Sequence, residues 1–274
     1  MAETAAAYDG PSVFEHVHRF GPTLAERVDG SPRLRARQRL GRRLSASMGR
    51  VQLSGLERVP DSGPVVLAVN HASFMDGPLL FGYFARVVSC LVKAEAFLPV
   101  GGRAGRVLID AAQIPVRRGI IDPAPVRLAL DVLRAGGVVG VFPEGTRGDG
   151  SARQARPGVG YLALKTSAVV IPVAIVGSEE LVHRHGARRP RVLVNVGDPV
   201  ELEYPDPGVT LNRRNWVAAT EVIRARLAAL VVETRRLRAE PAAAGELAGR
   251  NHETELRGIR RRAATPTNEN LEVQ

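Results

Sequence analysis

VVLAVNHASFMDGP, residues Val65 to Pro78, runs from an unbroken apolar stretch through a short polar segment to a proline. The apolar stretch Val65–Val69 reads as a buried strand. Pro78 fits best in the first turn of a helix, where its missing N–H is not needed. The segment therefore predicts a strand, a tight turn and a helix that starts near Asp76. On one continuous helix, positions five apart point about 140° away from each other. His71 and Asp76 can meet only if a turn folds the imidazole back onto the carboxylate, and a strand-turn-helix junction supplies that turn. Loops at the C-terminal ends of strands are where α/β proteins commonly place their chemistry. A carboxylate held against one ring nitrogen fixes the tautomer and leaves the other nitrogen as a general base. Alternatively, Ser73 and Asp76 form a plain capping box, although Pro78 then sits past the first turn.

A second apolar run, Val138 to Phe142, leads into FPEGTRGDG, which ends at Gly150. Gly145 allows the backbone to approach a ligand closely. Consecutive amides in such a turn can form an anion-binding nest. Arg147 offers a planar fork suited to phosphate. The plainer reading is a strand-end turn with a surface arginine. Arg117 and Arg118, which follow the run Ile114–Val116, can join Arg147 if their loops converge on one sheet edge. Lys93 ends another strand-like run.

Strand-like runs occur at Val51–Leu53, Val65–Val69, Val87–Val92, Ile114–Val116, Val138–Phe142, Val169–Val176 and Val192–Val196. Helical patterns at Pro78–Arg86, Pro123–Ala135 and Pro157–Thr166 alternate with several of them. A last helix is predicted over Asn212–Leu237, with Asn212 as its cap. This alternation predicts an α/β fold, a mixed and largely parallel sheet covered by helices. Pro172 inside a strand predicts an edge position or a bulge. The expected organisation is a basic arm over 1–50, a central domain over 51–238 and a disordered tail over 239–274.

The chain has 274 residues, a formal net charge of +10 and a single cysteine, Cys90, which excludes an internal disulfide. One cysteine suits a reducing cytoplasm. The segment before Gly30 lacks the apolar core of a signal peptide, and no apolar run reaches the roughly 18 residues that a spanning helix requires. From Ser31 to Arg50, inclusive, there are seven arginines and no acidic residue. Such a stretch can bind nucleic acid or an anionic membrane surface. Aromatic residues make up only 4% of the chain, leaving few platforms for base stacking, which favours lipid. Residues 33–48 predict a helix with Leu34, Leu40, Leu44 and Met48 among arginines. It is either a solvated arm resting a few leucines on the body or an interfacial helix.

These segments resemble the glycerolipid acyltransferases, especially the lysophosphatidate acyltransferases. The family block NHxSxxD matches at Asn70, His71, Ser73 and Asp76. A block with an apolar residue near an arginine matches Ile114 to Arg118. FPEGTR matches Phe142 to Arg147, and an apolar run around a proline matches Val169 to Gly177. Gly148 stands where many members carry serine. The resemblance covers roughly residues 50 to 235.

The resemblance implies acyl transfer from a thioester, acyl-CoA or acyl carrier protein, to the hydroxyl of 1-acyl-glycerol-3-phosphate in phospholipid biosynthesis. His71 is then the base and Asp76 its orienting partner. Arg147, Gly145, Thr146, Glu144 and one of Arg117 or Arg118 form the acceptor-phosphate site, with Asn70, Ser73 and Lys93 in support. No cofactor or metal is expected; His183 and His185 flank an arginine with no third ligand in view. The expected location is cytoplasmic, peripheral on the inner face of the cell membrane through the basic arm. Glycerol-3-phosphate, another lysophospholipid or a glycolipid are alternative acceptors. A non-catalytic basic binding module is the alternative function.

Overall fold

The computed structural model describes residues 17, 22–97, 103–117, 122–182, 189–204 and 210–240. Arg118, His183, His185 and the tail beyond residue 240 lie outside the described residues.

Seven strands form one sheet: β1 (Arg50–Ser54), β2 (Val65–Val69), β3 (Val88–Lys93), β4 (Ile114–Val116), β5 (Val138–Val141), β6 (Val169–Val176) and β7 (Arg191–Val196), in the order β1-β7-β6-β2-β5-β3-β4. Every pairing is parallel except β6 with β7. The strands β6, β2, β5, β3 and β4 therefore end on the same edge of the sheet. That edge receives the loops carrying both sequence motifs, together with Lys93, Arg117 and the turn after β6.

Helices cover both faces because β2 is apolar on both. Val65, Leu67 and Val69 pack with Leu79, Leu80 and Tyr83 of helix α3 (Asp76–Tyr83). Val66 and Ala68 pack with Leu130 and Leu133 of α5 (Ala124–Arg134), Leu162 of α6 (Gly158–Thr166) and Ile223 of α7 (Arg213–Ala239). Alternate side chains of a strand point to opposite faces, so an unbroken apolar run is what a doubly covered strand requires. Fully burying one such aliphatic side chain contributes about 1.5–3 kcal/mol relative to exposure. Asn212 caps α7, its Oδ1 accepting the amides of Arg214 at 2.9 Å and Asn215 at 3.3 Å.

One alternative and one boundary need correction. Strand β6 lies inside the sheet between β7 and β2, so the edge alternative for Pro172 fails, whereas the register slips by one residue around it, Val173 opposite Val196 but Val170 opposite Val200, as the bulge alternative expects. Pro172 is tolerated there because the ladder to β7 begins only at the next residue, with Val173 opposite Val196. The Pro172 carbonyl still accepts the Gly197 amide at 2.9 Å. The helix after the first motif also ends at Tyr83, short of Arg86. Arg86 is drawn away to bind the carbonyls of Pro60 at 3.0 Å and Gly63 at 2.9 Å, and that of Gly136.

The basic helix is α2 (Pro32–Met48), preceded by α1 (Leu24–Asp29), which carries the buried Arg27. Ser31 caps α2 through the Leu34 amide. Helix α2 runs antiparallel to α3, with Gln38 near Phe84 and Gly41 beside Gly82. Leu34 is buried against Phe81 and Val87. On the neighbouring helix α4 (Arg103–Asp110), the buried carboxylate of Asp110 pairs with Arg33 at 2.6 Å, Arg37 at 3.0 Å and Arg106 at 3.2 Å. The reading of α2 as an arm that rests on the body fits its inner face. Leu40 and Leu44 remain 49% and 57% exposed.

Candidate active site

His71 and Asp76 meet as the turn between β2 and α3 demands. His71 Nδ1 lies 2.9 Å from Asp76 Oδ2. Asp76 has no side-chain exposure, whereas 17% of the His71 side chain reaches solvent. The same Oδ2 accepts the amides of Ala72 at 3.0 Å and Ser73 at 2.8 Å. Asp76 Oδ1 accepts the Ser178 hydroxyl at 2.5 Å. An ionised carboxylate only accepts, so Nδ1 carries the proton and Nε2 is left as the proton acceptor. The imidazole also stacks on the Phe142 ring, with centroids 4.1 Å apart and planes 25° from parallel. Ser73 is a turn residue whose Oγ accepts the Met75 amide at 3.2 Å.

The second motif grips His71 by its backbone. Glu144 Oε1 accepts the His71 amide at 2.9 Å, and the His71 carbonyl accepts the Gly148 amide at 3.0 Å. Burial pushes the Glu144 carboxyl above its usual range, with the His71 amide pulling the other way. Asn70 is 1% exposed and joins three segments. Its Oδ1 accepts the Ile175 amide at 2.7 Å, and its Nδ2 donates to the carbonyls of Ile175 at 2.9 Å and Gly150 at 3.0 Å.

Thr146 and Arg147 are exposed on the same turn, and among the described residues neither backbone amide makes a hydrogen bond. The Arg147 guanidinium likewise has no hydrogen bond or ion pair to any described residue. Gly145 has φ 70°, and a Cβ there would lie 2.5 Å from Arg156 Nε. The positive φ favours glycine, and Arg156 brings a second guanidinium against the turn. Sequence reasoning missed Arg156 because nothing in the stretch before α6 marks it out.

Arg117 sits on the same sheet edge but forks onto Asp122, with Nε at 3.1 Å and Nη2 at 2.9 Å from Oδ2. Lys93 is exposed at the end of β3. Burial raises the Cys90 thiol to about 12, which leaves it unreactive as a nucleophile.

Residues 50–176 match the family described as Acyltransferase. This segment belongs to that family. The chain is 33% identical over 129 residues to a 1-acyl-sn-glycerol-3-phosphate acyltransferase of Borreliella burgdorferi, covering 46% of this chain and 51% of that protein. It is 29% identical over 139 residues to the chloroplastic 1-acyl-sn-glycerol-3-phosphate acyltransferase of Arabidopsis thaliana, covering 48% and 38%. The chain thus spans about half or less of the length of these curated relatives. The crystal structure of a 1-acyl-sn-glycerophosphate acyltransferase from Thermotoga maritima shares the fold, with a TM-score of 0.53 and 23% identity over 77% of this chain and 81% of that one. The sheet edge holding the His71–Asp76 pair falls inside the acyltransferase segment.

Proposed function

We propose that this protein transfers a fatty acyl group from a thioester donor to the free hydroxyl of 1-acyl-glycerol-3-phosphate, giving phosphatidate. The observation that carries this reading is the oriented His71–Asp76 pair beside a turn whose amides at Thr146 and Arg147, and whose Arg147 guanidinium, have no partner among the described residues. His71 Nε2 takes the acceptor's hydroxyl proton as the oxygen attacks the thioester carbonyl carbon. A tetrahedral intermediate forms, and Asp76 steadies the imidazolium. The intermediate collapses with cleavage of the carbon–sulfur bond, and the proton passes from His71 to the departing thiolate. No acyl-enzyme forms, and no cofactor is needed beyond the thioester.

The acceptor's phosphate would rest on the amides of Thr146 and Arg147 and on the Arg147 side chain, with Arg156 adding charge. Glu144 serves the base in this reading, not the phosphate. Arg117 contributes only if it leaves Asp122.

A lysolipid acceptor and a two-chain product both reside in bilayers, so the reaction would take place at an interface. Leu40 and Leu44 on α2, and Phe74 at 54% exposure in the first motif, are apolar groups open to such a surface. Arg39 and Arg43 lie beside them. Each basic residue near an anionic surface contributes about 1 kcal/mol. Peripheral attachment to the inner face of the cell membrane follows from this reading. No described helix is long and apolar enough to cross a membrane.

The test is purified protein with acyl-CoA or acyl carrier protein as donor and a panel of acceptors, with products read by mass spectrometry. Acylation of 1-acyl-glycerol-3-phosphate in preference to glycerol-3-phosphate, other lysophospholipids and glycolipids supports the reading. Preference for another acceptor would replace the substrate but keep the chemistry. No transfer to any acceptor would favour a non-catalytic membrane-binding module.

A further inference from the structure

Asp76 has two oxygens with unequal support. Oδ2 receives three donors, from His71, Ala72 and Ser73, whereas Oδ1 receives only Ser178 among the described residues. Both Asp76 and Ser178 are fully buried, at 0% exposure. Without the Ser178 hydroxyl, Oδ1 would be an unsatisfied anionic acceptor away from water. The carboxylate would then be free to rotate about its terminal torsion, which releases Nδ1 of His71.

We propose that Ser178 is a positioning residue of the catalytic pair. It locks the Asp76 carboxylate in the orientation that presents Oδ2 to the imidazole. The proposal rests on the reading of His71 as the base.

The turn that delivers Ser178 is itself fixed. Gly177 has φ 89°, and a Cβ there would lie 2.6 Å from both Arg191 O and Arg238 Nε. Arg238, near the end of α7, donates through Nε to the Arg191 carbonyl at 2.8 Å and through Nη2 to Glu180 Oε1 at 2.5 Å. The last helix therefore clamps the turn after β6 that holds the carboxylate, which in turn orients the base.

The test measures Ser178→Ala and Ser178→Cys in the full chain. Cysteine keeps the shape and offers only a weak donor. Ser178→Ala is expected to lower kcat about tenfold to a hundredfold, the usual scale for a hydrogen bond to a charged group, with KM for donor and acceptor unchanged. Ser178→Cys should fall between alanine and the wild type. The Nδ1–H proton resonance of His71, assigned with His71→Ala in histidine-labelled protein, should shift in both variants. A general packing role would instead lower thermal stability and leave the resonance and the turnover per folded molecule unchanged, which overturns the proposal. If the alanine variant does not fold, wild-type kcat and an unmoved resonance in Ser178→Cys overturn it equally. The resonance needs no activity. A failed base reading, seen as full activity in His71→Ala, is thus distinguishable from a failed role for Ser178.

Discussion

The Glu144 carboxylate accepts the backbone N–H of His71 across 2.9 Å, tying the second motif to the peptide plane that carries the His71 imidazole. Glu144→Gln keeps a carbonyl oxygen for this amide and should retain most of kcat. Removing a negative charge beside the turn should also lower KM for an anionic acceptor. Glu144→Ala releases the amide and should cost about tenfold to a hundredfold in kcat, the scale of a small misplacement of a reacting group. Equal losses in both variants, with acceptor KM raised, would show that the charge of Glu144 matters and its acceptor oxygen does not.

Stability should report the same carboxyl. Burial raises Glu144 in the folded chain above its unfolded value, so folding favours the protonated form. The resulting penalty is absent below the unfolded pKa of about 4.3 and grows as pH rises through the folded value. Glu144→Gln removes it. The melting temperature of the variant relative to wild type should therefore rise between about pH 4 and about pH 7. A pH-independent difference would contradict the assignment.

Arg147 is free of partners among the described residues, so its removal should leave the fold untouched. Arg147→Ala should raise acceptor KM about ten- to a hundredfold, corresponding to roughly 1.5–3 kcal/mol for a charge-assisted contact. Donor KM should change much less. Parallel changes in both constants would place the guanidinium on the donor as well.

Much of this site was legible because its parts are local. His71 and Asp76 lie in one strand-turn-helix junction, so the spacing and Pro78 carry the geometry. The strand runs were readable because a doubly covered sheet needs continuous apolar segments, as in β2. Ser178 was invisible because 102 positions separate it from Asp76, and only the sheet order places the end of β6 beside the end of β2. The Glu144 contact was hidden for the same reason, and the motif alone suggested a ligand role. The edge alternative for Pro172 failed because its missing donor implies an unpaired neighbour, which an interior strand provides where the β7 ladder stops.

Helix α2 cannot be tested by deletion, since Leu34 and the arginines bound to Asp110 belong to the body. Its outward face can. The double variant Leu40→Asp, Leu44→Asp should keep the fold while weakening sedimentation with anionic liposomes. Activity on bilayer-held acceptor should fall, and activity on a short-chain soluble acceptor should persist. Unchanged sedimentation at low and moderate salt would move the contact elsewhere, with the exposed Phe74 the next position to test.

The central claim is that His71, oriented by Asp76, removes the acceptor's hydroxyl proton. The most direct measurement is turnover of His71→Ala with acyl thioester and 1-acyl-glycerol-3-phosphate, with phosphatidate quantified by mass spectrometry and folding checked by circular dichroism. The account predicts a folded protein whose kcat is lower by about 10²–10⁴-fold, the scale of a lost general base. A folded His71→Ala variant that forms phosphatidate at the wild-type rate would contradict it.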